Sequence, residues 1–160
     1  MTLFAKMIRP ARMKDADALL DIKNDYDVRQ FSIVTKDEIR REDHLRWLER
    51  ALNNPDVRLF CICHGGGYVV GDVRLDVLAK DSIELSVRIR PSFRRIGIGI
   101  GTFALAFAIT EAKKIAGDKV KLMAKIVDGN AASMALFKSV GFRVAYHDNV
   151  VSYLRFNLEE

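Results

Sequence analysis

Cysteine, proline and tryptophan are scarce in this chain: two, three and one among 160 residues. Two cysteines exclude a disulfide framework. Cys61 and Cys63, separated by one residue on a strand, are expected to point to opposite faces and are read as buried structural thiols. With His64 they supply too few ligands for a metal site, so no metal is expected. No apolar run approaches the roughly 18 residues of a membrane span. The start, MTLFAKMIRPARMKDAD, is briefly apolar and soon acidic, unlike a signal peptide, so a cytoplasmic location is expected. Repeats, linkers and low-complexity stretches are lacking too, which points to one domain over residues 1–160. The net charge is +5, but basic and acidic residues are mixed and no aromatic pattern accompanies them. Neither a nucleic acid nor a membrane is expected as partner.

What is present is the composition of a globular protein, 49% hydrophobic and 29% charged. Periodicity predicts a strand over 6–9 and a helix over 14–24 with Ala16, Leu19, Leu20 and Lys23 at helical spacing. A loop with a helical turn follows over 25–41. A helix over 41–52 carries Leu45, Leu48 and Leu52 as its apolar stripe. Strands over 57–63 and 68–78 flank the turn Gly65-Gly66-Gly67, and a third strand covers 82–89. A long helix from Thr102, a strand over 119–127 and a helix N-capped by Asn130 come next. Two strands, 142–147 and 150–157, complete a β-α-α-β-β-β-α-β-α-β-β order. That order makes an α/β (α+β) protein: one mixed, mostly antiparallel sheet with helices on both faces.

Between the 82–89 strand and the long helix lies PSFRRIGIGIG, Pro91 to Gly101. Its glycines let the backbone approach a ligand and leave the first helical amides free, which makes an anion site. Arg88, Arg90, Arg94 and Arg95 form the densest basic cluster at the same place, which favours a phosphorylated small molecule. A dinucleotide-binding fold would need this turn after the first strand of a parallel unit, and a P-loop would need Gly-Lys-Ser/Thr. Both are excluded.

A second motif, NAASMALFKSVGF, runs from Asn130 through Ser133, Phe137 and Gly141 to Phe142. With Arg94, Gly97 and Gly99 in the pattern Arg/Gln-x-x-Gly-x-Gly/Ala, it resembles the GNAT superfamily of acyl-CoA N-acyltransferases. The resemblance covers nearly the whole chain and implies the GNAT fold, with acetyl-CoA as cosubstrate. It places the coenzyme pyrophosphate on the amides of Arg95, Ile96, Gly97, Ile98 and Gly99, near Gly101 and Thr102. Val87 and Ile89 would bond the pantetheine arm through their main chain as an added strand does. Asn130 contacts the same arm in the family, Phe137 lies beside it, and Arg94 or Arg95 would pair with phosphates.

Acetyl transfer to an amine needs a base for the ammonium proton and a proton for the departing thiolate. Glu84 shares a strand face with Ser86 and Arg88 and stands where many GNAT enzymes have a glutamate, so it is the expected base. The neighbouring strand puts Asp72, Arg74 and Asp76 on one face. An Asp72–Arg88 cross-strand pair would be structural and leave Glu84 or Asp76 for proton transfer. Many GNAT members have tyrosine where this chain has Phe137, which cannot donate a proton. Ser133, one turn earlier, is a candidate partner of the sulfur, with Tyr146, Tyr153 and direct protonation by solvent or by the amine as alternatives.

The acceptor should be read by the N-terminal third. Its LLDIKNDYDVRQFSIVTKDEIRREDHLRWLERAL resembles two GNAT branches. These are the nucleotide-sugar amine acetyltransferases, in particular those acting on UDP-4-amino-sugars, and the ribosomal-protein N-terminal acetyltransferases. The sugar branch is favoured, with Arg29, Gln30, Ser32, His44 and Arg74 as substrate-binding candidates. A non-catalytic acyl-CoA sensor is a third reading. The sequence does not show an oligomeric state, and the resemblance leaves a homodimer open.

Overall fold

A computed structural model describes residues 7–34, 36–94 and 99–156. The chain begins with β1 (Ile8–Pro10), α1 (Ala16–Asn24), the short α2 (Tyr26–Arg29) and α3 (Arg41–Asn53). An antiparallel meander follows: β2 (Val57–His64), β3 (Tyr68–Ala79) and β4 (Ser82–Ile89). Then come α4 (Ile100–Ala116), β5 (Lys121–Val127), α5 (Ala131–Ser139), β6 (Phe142–His147) and β7 (Val151–Phe156). The strand order is β1-β2-β3-β4-β5-β7-β6, and every pair except β4–β5 is antiparallel. The predicted mixed, mostly antiparallel sheet is therefore present, with element ends within two residues or so of expectation.

Two apolar cores form on the sheet. One packs α4 and Phe137 of α5 against Val73, Leu75, Ile83, Leu85, Leu122 and Leu154. Ala104, Ala108 and Ala112, one turn apart on α4, are fully buried, and their small side chains let that helix lie close to the strands. The other core packs α1 and α3 on Leu59, Cys61, Cys63 and Val69. Cys61 and Cys63 thus share one face, contrary to expectation. Alternation puts residues i and i+2 of a strand on the same side, and both thiols point at the α1/α3 layer. They are free, and burial pushes the Cys61 thiol up to about 12, far from reactivity.

The stripe of α3 also differs from expectation. The buried positions are His44, Leu48 and Ala51, spaced i, i+4, i+7, rather than Leu45, Leu48 and Leu52. Leu45 and Leu52 flank this core as partly buried neighbours. His44 occupies a core place because the helix is rotated by one residue from the leucine stripe.

One feature of the sheet positions the site. The parallel β4–β5 pair has three registered partners, Ser82 with Lys121, Ile83 with Leu122 and Glu84 with Met123, and then stops. Beyond Glu84, β5 turns to pair with β7 as far as Val127, while β4 stays with β3 as far as Ile89. The two central strands fork. The close β3–β4 approach on the other side depends on Gly71, where an added Cβ would lie 2.3 Å from the Arg88 carbonyl oxygen.

Candidate active site

A cavity of about 780 Å³ opens in the fork. Its floor is β4 from Glu84 to Ile89, and β5 and α5 form one wall through Lys125, Asn130, Ser133 and Phe137. The opposite wall carries Lys23, Arg29, Ser32 and Asp37, and β3 adds Arg74 and Asp76. Among the described residues, 85–89 of β4 have no strand partner on the β5 side, so their outward main-chain groups are available to an extended ligand. The Ile89 carbonyl is already used, because Arg94 Nε donates to it at 3.1 Å.

At the far end of β4 the helix α4 begins with Gly99 as N-cap at φ 61, ψ 42. This left-handed geometry suits glycine. The Phe103 amide reaches the Gly99 carbonyl at 2.9 Å, which leaves the first-turn amides ahead of it without helical partners. One turn in, a Cβ on Gly101 would meet Leu136 at 3.1 Å and Ile89 at 3.3 Å, so glycine keeps the helix start close to the strand end. Open amides, dipole and adjacent extended strand could hold a phosphate with a linear arm. Gly99, Gly101 and Thr102 line the cavity, as do Val87, Ile89, Arg94, Asn130 and Phe137. Arg95, Ile96, Gly97 and Ile98 lie outside the described residues.

Glu84 sits at the fork itself, its side chain 18% exposed and 3.3 Å from Lys125 Nζ. Its cross-strand neighbour is Asp76, and Arg74 holds Asp76 through Nε at 2.9 Å and Nη2 at 2.8 Å. Asp72 faces Arg88 in the register, as expected, and accepts from its Nε and Nη2 at 3.1 Å each. Asp72 is wholly buried, so this pair ties β3 to β4 beneath the cavity.

Asn130 Oδ1 accepts from the Ser133 amide at 3.3 Å and caps α5, which fixes both residues on the rim. Phe137 is 2% exposed and packs edge-on against Phe142, with ring centres 5.0 Å apart. Its ring is chiefly core. Tyr146 and Tyr153 line a second, smaller cavity of about 370 Å³, which meets the first at Leu78, Glu84 and Lys125. Tyr153 donates its hydroxyl to Asp148 at 3.0 Å, so neither tyrosine faces the main cavity.

Of the residues expected to bind substrate, Arg29, Ser32 and Arg74 line the cavity. Gln30 and His44 do not. The Gln30 side chain is on the exposed side of its turn, where its carbonyl accepts from Lys36. His44 is 1% exposed and stacked on Trp47 at 5.5 Å. Neither of its ring nitrogens has a hydrogen-bond partner among the described residues, and the Ala16 backbone is near. Burial, then the nearby Lys23 charge, pulls its pKa down to about 4, so it is neutral at pH 7.

Sequence reasoning missed Lys23. Its Nζ lies 2.9 Å from the centre of the Trp47 ring and its side chain lines the cavity. Burial, reinforced by Arg88, pulls its pKa down to about 6. The available signal was a lysine on the apolar stripe of α1, beside Ala16 and Leu19.

A forked sheet with a glycine-started helix beside the fork defines an acyltransferase built around a coenzyme arm. The chain belongs to the GNAT acetyltransferases: the family model for the acetyltransferase (GNAT) domain matches residues 7–143. It is accordingly an acetyl-CoA-dependent N-acetyltransferase. No curated protein sequence matches the chain. Among solved structures, it is 28% identical to the ribosomal-protein-alanine N-acetyltransferase of Brucella melitensis, covering 92% of this chain and 97% of that one at TM-score 0.73. An N-acetyltransferase of Staphylococcus aureus is 25% identical over 96% of this chain and 98% of that one, TM-score 0.75. The Vibrio cholerae spermidine N-acetyltransferase, solved with CoA and spermine, shares the fold at TM-score 0.80 and 15% identity, with 93% of each chain covered.

Proposed function

We propose that this chain carries the acetyl group of acetyl-CoA directly to a primary amine held in the fork, with Glu84 as the proton acceptor. The observation that carries the reading is Glu84 at the last β4–β5 pair, partly shielded and at the junction of both cavities. The α4 start, Arg94 and the open edge of β4 at Val87 and Ile89 would hold the coenzyme, with Asn130 on its arm. When bound, acetyl-CoA supplies a thioester carbonyl activated towards amines. The protein's own work is to orient the amine, remove its proton and exclude water. An alkylammonium is protonated at neutral pH, so Glu84, directly or through a water, takes that proton and frees the nitrogen lone pair. Ser133 Oγ, on the α5 wall, would hydrogen-bond the departing sulfur, which takes up the proton shed by the acylated nitrogen as the C–S bond breaks. Neither cysteine lines the cavity, which supports direct transfer over a covalent protein intermediate.

Two acceptor classes are carried forward. The reading favoured by the N-terminal third is the amine of a UDP-4-amino-sugar, with Arg29, Ser32 and Arg74 as its contacts. The second is the N-terminal amine of a ribosomal protein, favoured by the 28% identity to the Brucella enzyme. Thiol release from acetyl-CoA, measured across UDP-amino-sugars, peptides with free N-termini and polyamines, separates them. Coenzyme binding without thiol release from any amine would refute the transfer reading and leave an acyl-CoA sensor.

A further inference from the structure

Lys23 is a titratable group in the cavity that acetyl transfer leaves unused. It projects from α1, and Trp47 of α3 forms a flat apolar wall against its Nζ. Of the nearby carboxylates, Asp72 is matched by Arg88, Asp76 by Arg74 and Glu84 by Lys125, and Asp27 and Asp37 also line the cavity. Among the described residues, no carboxylate lies within ion-pair distance of Lys23. Arg88 and Arg74 disfavour its proton, Asp72 favours it, and burial outweighs all three. Arg74 also leans over Trp47, with Cζ 5.5 Å from the ring centre. His44, on the other contact of that ring, is neutral and adds no charge.

Arg74 and Arg88 are matched by Asp76 and Asp72, so the cluster balances only while the Lys23 amine stays without its proton. An oxyanion from outside the chain would supply the counter-charge that lets Lys23 take a proton. Such a ligand would raise the Lys23 pKa and gain a charge-assisted bond in a shielded setting.

We propose that the acceptor bears an oxyanion, carboxylate or phosphate, which seats on Lys23 with Arg74 and Arg88 beside it, while its amine faces Glu84. The proposal rests on the transfer reading above and narrows its substrate to amines that carry an acid. A polyamine-type acceptor would bring further positive charge to a place where Arg74, Arg88 and burial already disfavour a proton on Lys23. Two sources share this chemistry: an amino acid or peptide with a carboxylate near its amine, and an amino-sugar linked to a diphosphate.

The test has two arms, the first on protein saturated with acetyl-CoA and the second on protein saturated with CoA. The first measures thiol release with matched acceptors: α-amino acids against their decarboxylated amines, and UDP-amino-sugars against the free amino sugars. The acid-bearing member of the productive pair is expected to have the higher kcat/KM by about tenfold or more. Lys23→Met should lose that preference while still binding CoA, which shows its site is folded. Which pair responds identifies the source of the oxyanion. The second arm follows the Lys23 side-chain resonance by NMR pH titration, assigned by its loss in Lys23→Met, with and without excess inorganic phosphate. Phosphate is expected to raise the Lys23 pKa by about one unit. Equal or better turnover of acceptors without an acid, or a Lys23 titration indifferent to phosphate, overturns the proposal. Thiol release from no amine at all, with the phosphate shift intact, refutes the transfer reading and leaves the anion subsite standing.

Discussion

Replacing Lys23 by methionine should make the unliganded protein more stable, by an amount that shrinks as pH rises. In the unfolded chain this lysine has its ordinary pKa of 10.5, and in the folded protein it is pulled down to about 6. At pH 7 folding must therefore strip a proton that the unfolded chain holds. The full cost is about 1.36 kcal/mol for each of roughly 3.5 pH units, or about 5 kcal/mol. The side chain keeps some contact with solvent in the cavity, which screens it and lowers the expected gain to about 2–4 kcal/mol. Methionine has a similar reach and keeps apolar contact with the Trp47 ring, so packing should change little.

The sign of the pH dependence is fixed by proton counting. Between pH 6 and 10.5 the unfolded state holds one more proton at this site, so wild-type stability rises with pH by about 1.36 kcal/mol per unit. The methionine variant lacks that slope. Urea denaturation of both proteins at pH 7 and pH 9 should show their difference narrowing by about 2.7 kcal/mol at the full shift, and by less in proportion as solvent screens it. A difference that stays constant with pH would mean that Lys23 titrates normally, and that burial beside two arginines has no hold on it.

Glu84→Gln should lower turnover by about a hundredfold below the acceptor amine's pKa, and much less above it, where the amine needs no base; a flat pH–rate ratio would move the base elsewhere. Ser133→Ala should lower kcat more than KM if its hydroxyl assists the leaving sulfur, and unchanged turnover in single-turnover assays would remove it from that role. Gly71→Ala should destabilise the fold by about 1–3 kcal/mol in chemical denaturation, because its Cβ would collide with the Arg88 carbonyl across β3–β4. His44→Leu should become the more stable form as pH falls from 6.5 towards 4. In that window the unfolded histidine takes a proton that the buried one refuses, a difference of about 2 kcal/mol by pH 5, readable as Tm against pH.

Much of the molecule follows from local pattern. Alternation over 82–89, the Gly65–Gly67 turn and the Asn130 cap each encode their element within a few residues, and the structure places them accordingly. The Asp72–Arg88 pair was legible for the same reason, since a short turn fixes antiparallel register and register fixes cross-strand neighbours. Gly99 and Gly101 stand at the helix start that the glycine turn predicts. His44 is an exception, a polar residue that sits on an apolar face. A leucine count rotated α3 by one residue and sent His44 to the cleft, whereas packing against the sheet buries it.

The sequence by itself thus determined the order of elements, the coenzyme motifs and the strand face that carries Glu84. These depend on neighbours a few positions apart. Only the tertiary structure decided where β4 and β5 part, since a fork depends on where each strand finds its other partner. It also decided that Lys23 of α1 and Trp47 of α3 meet Arg74 of β3 and Arg88 of β4, four residues from four separate elements. Their charges act on one another through a shared buried space, and no local spacing records that distance.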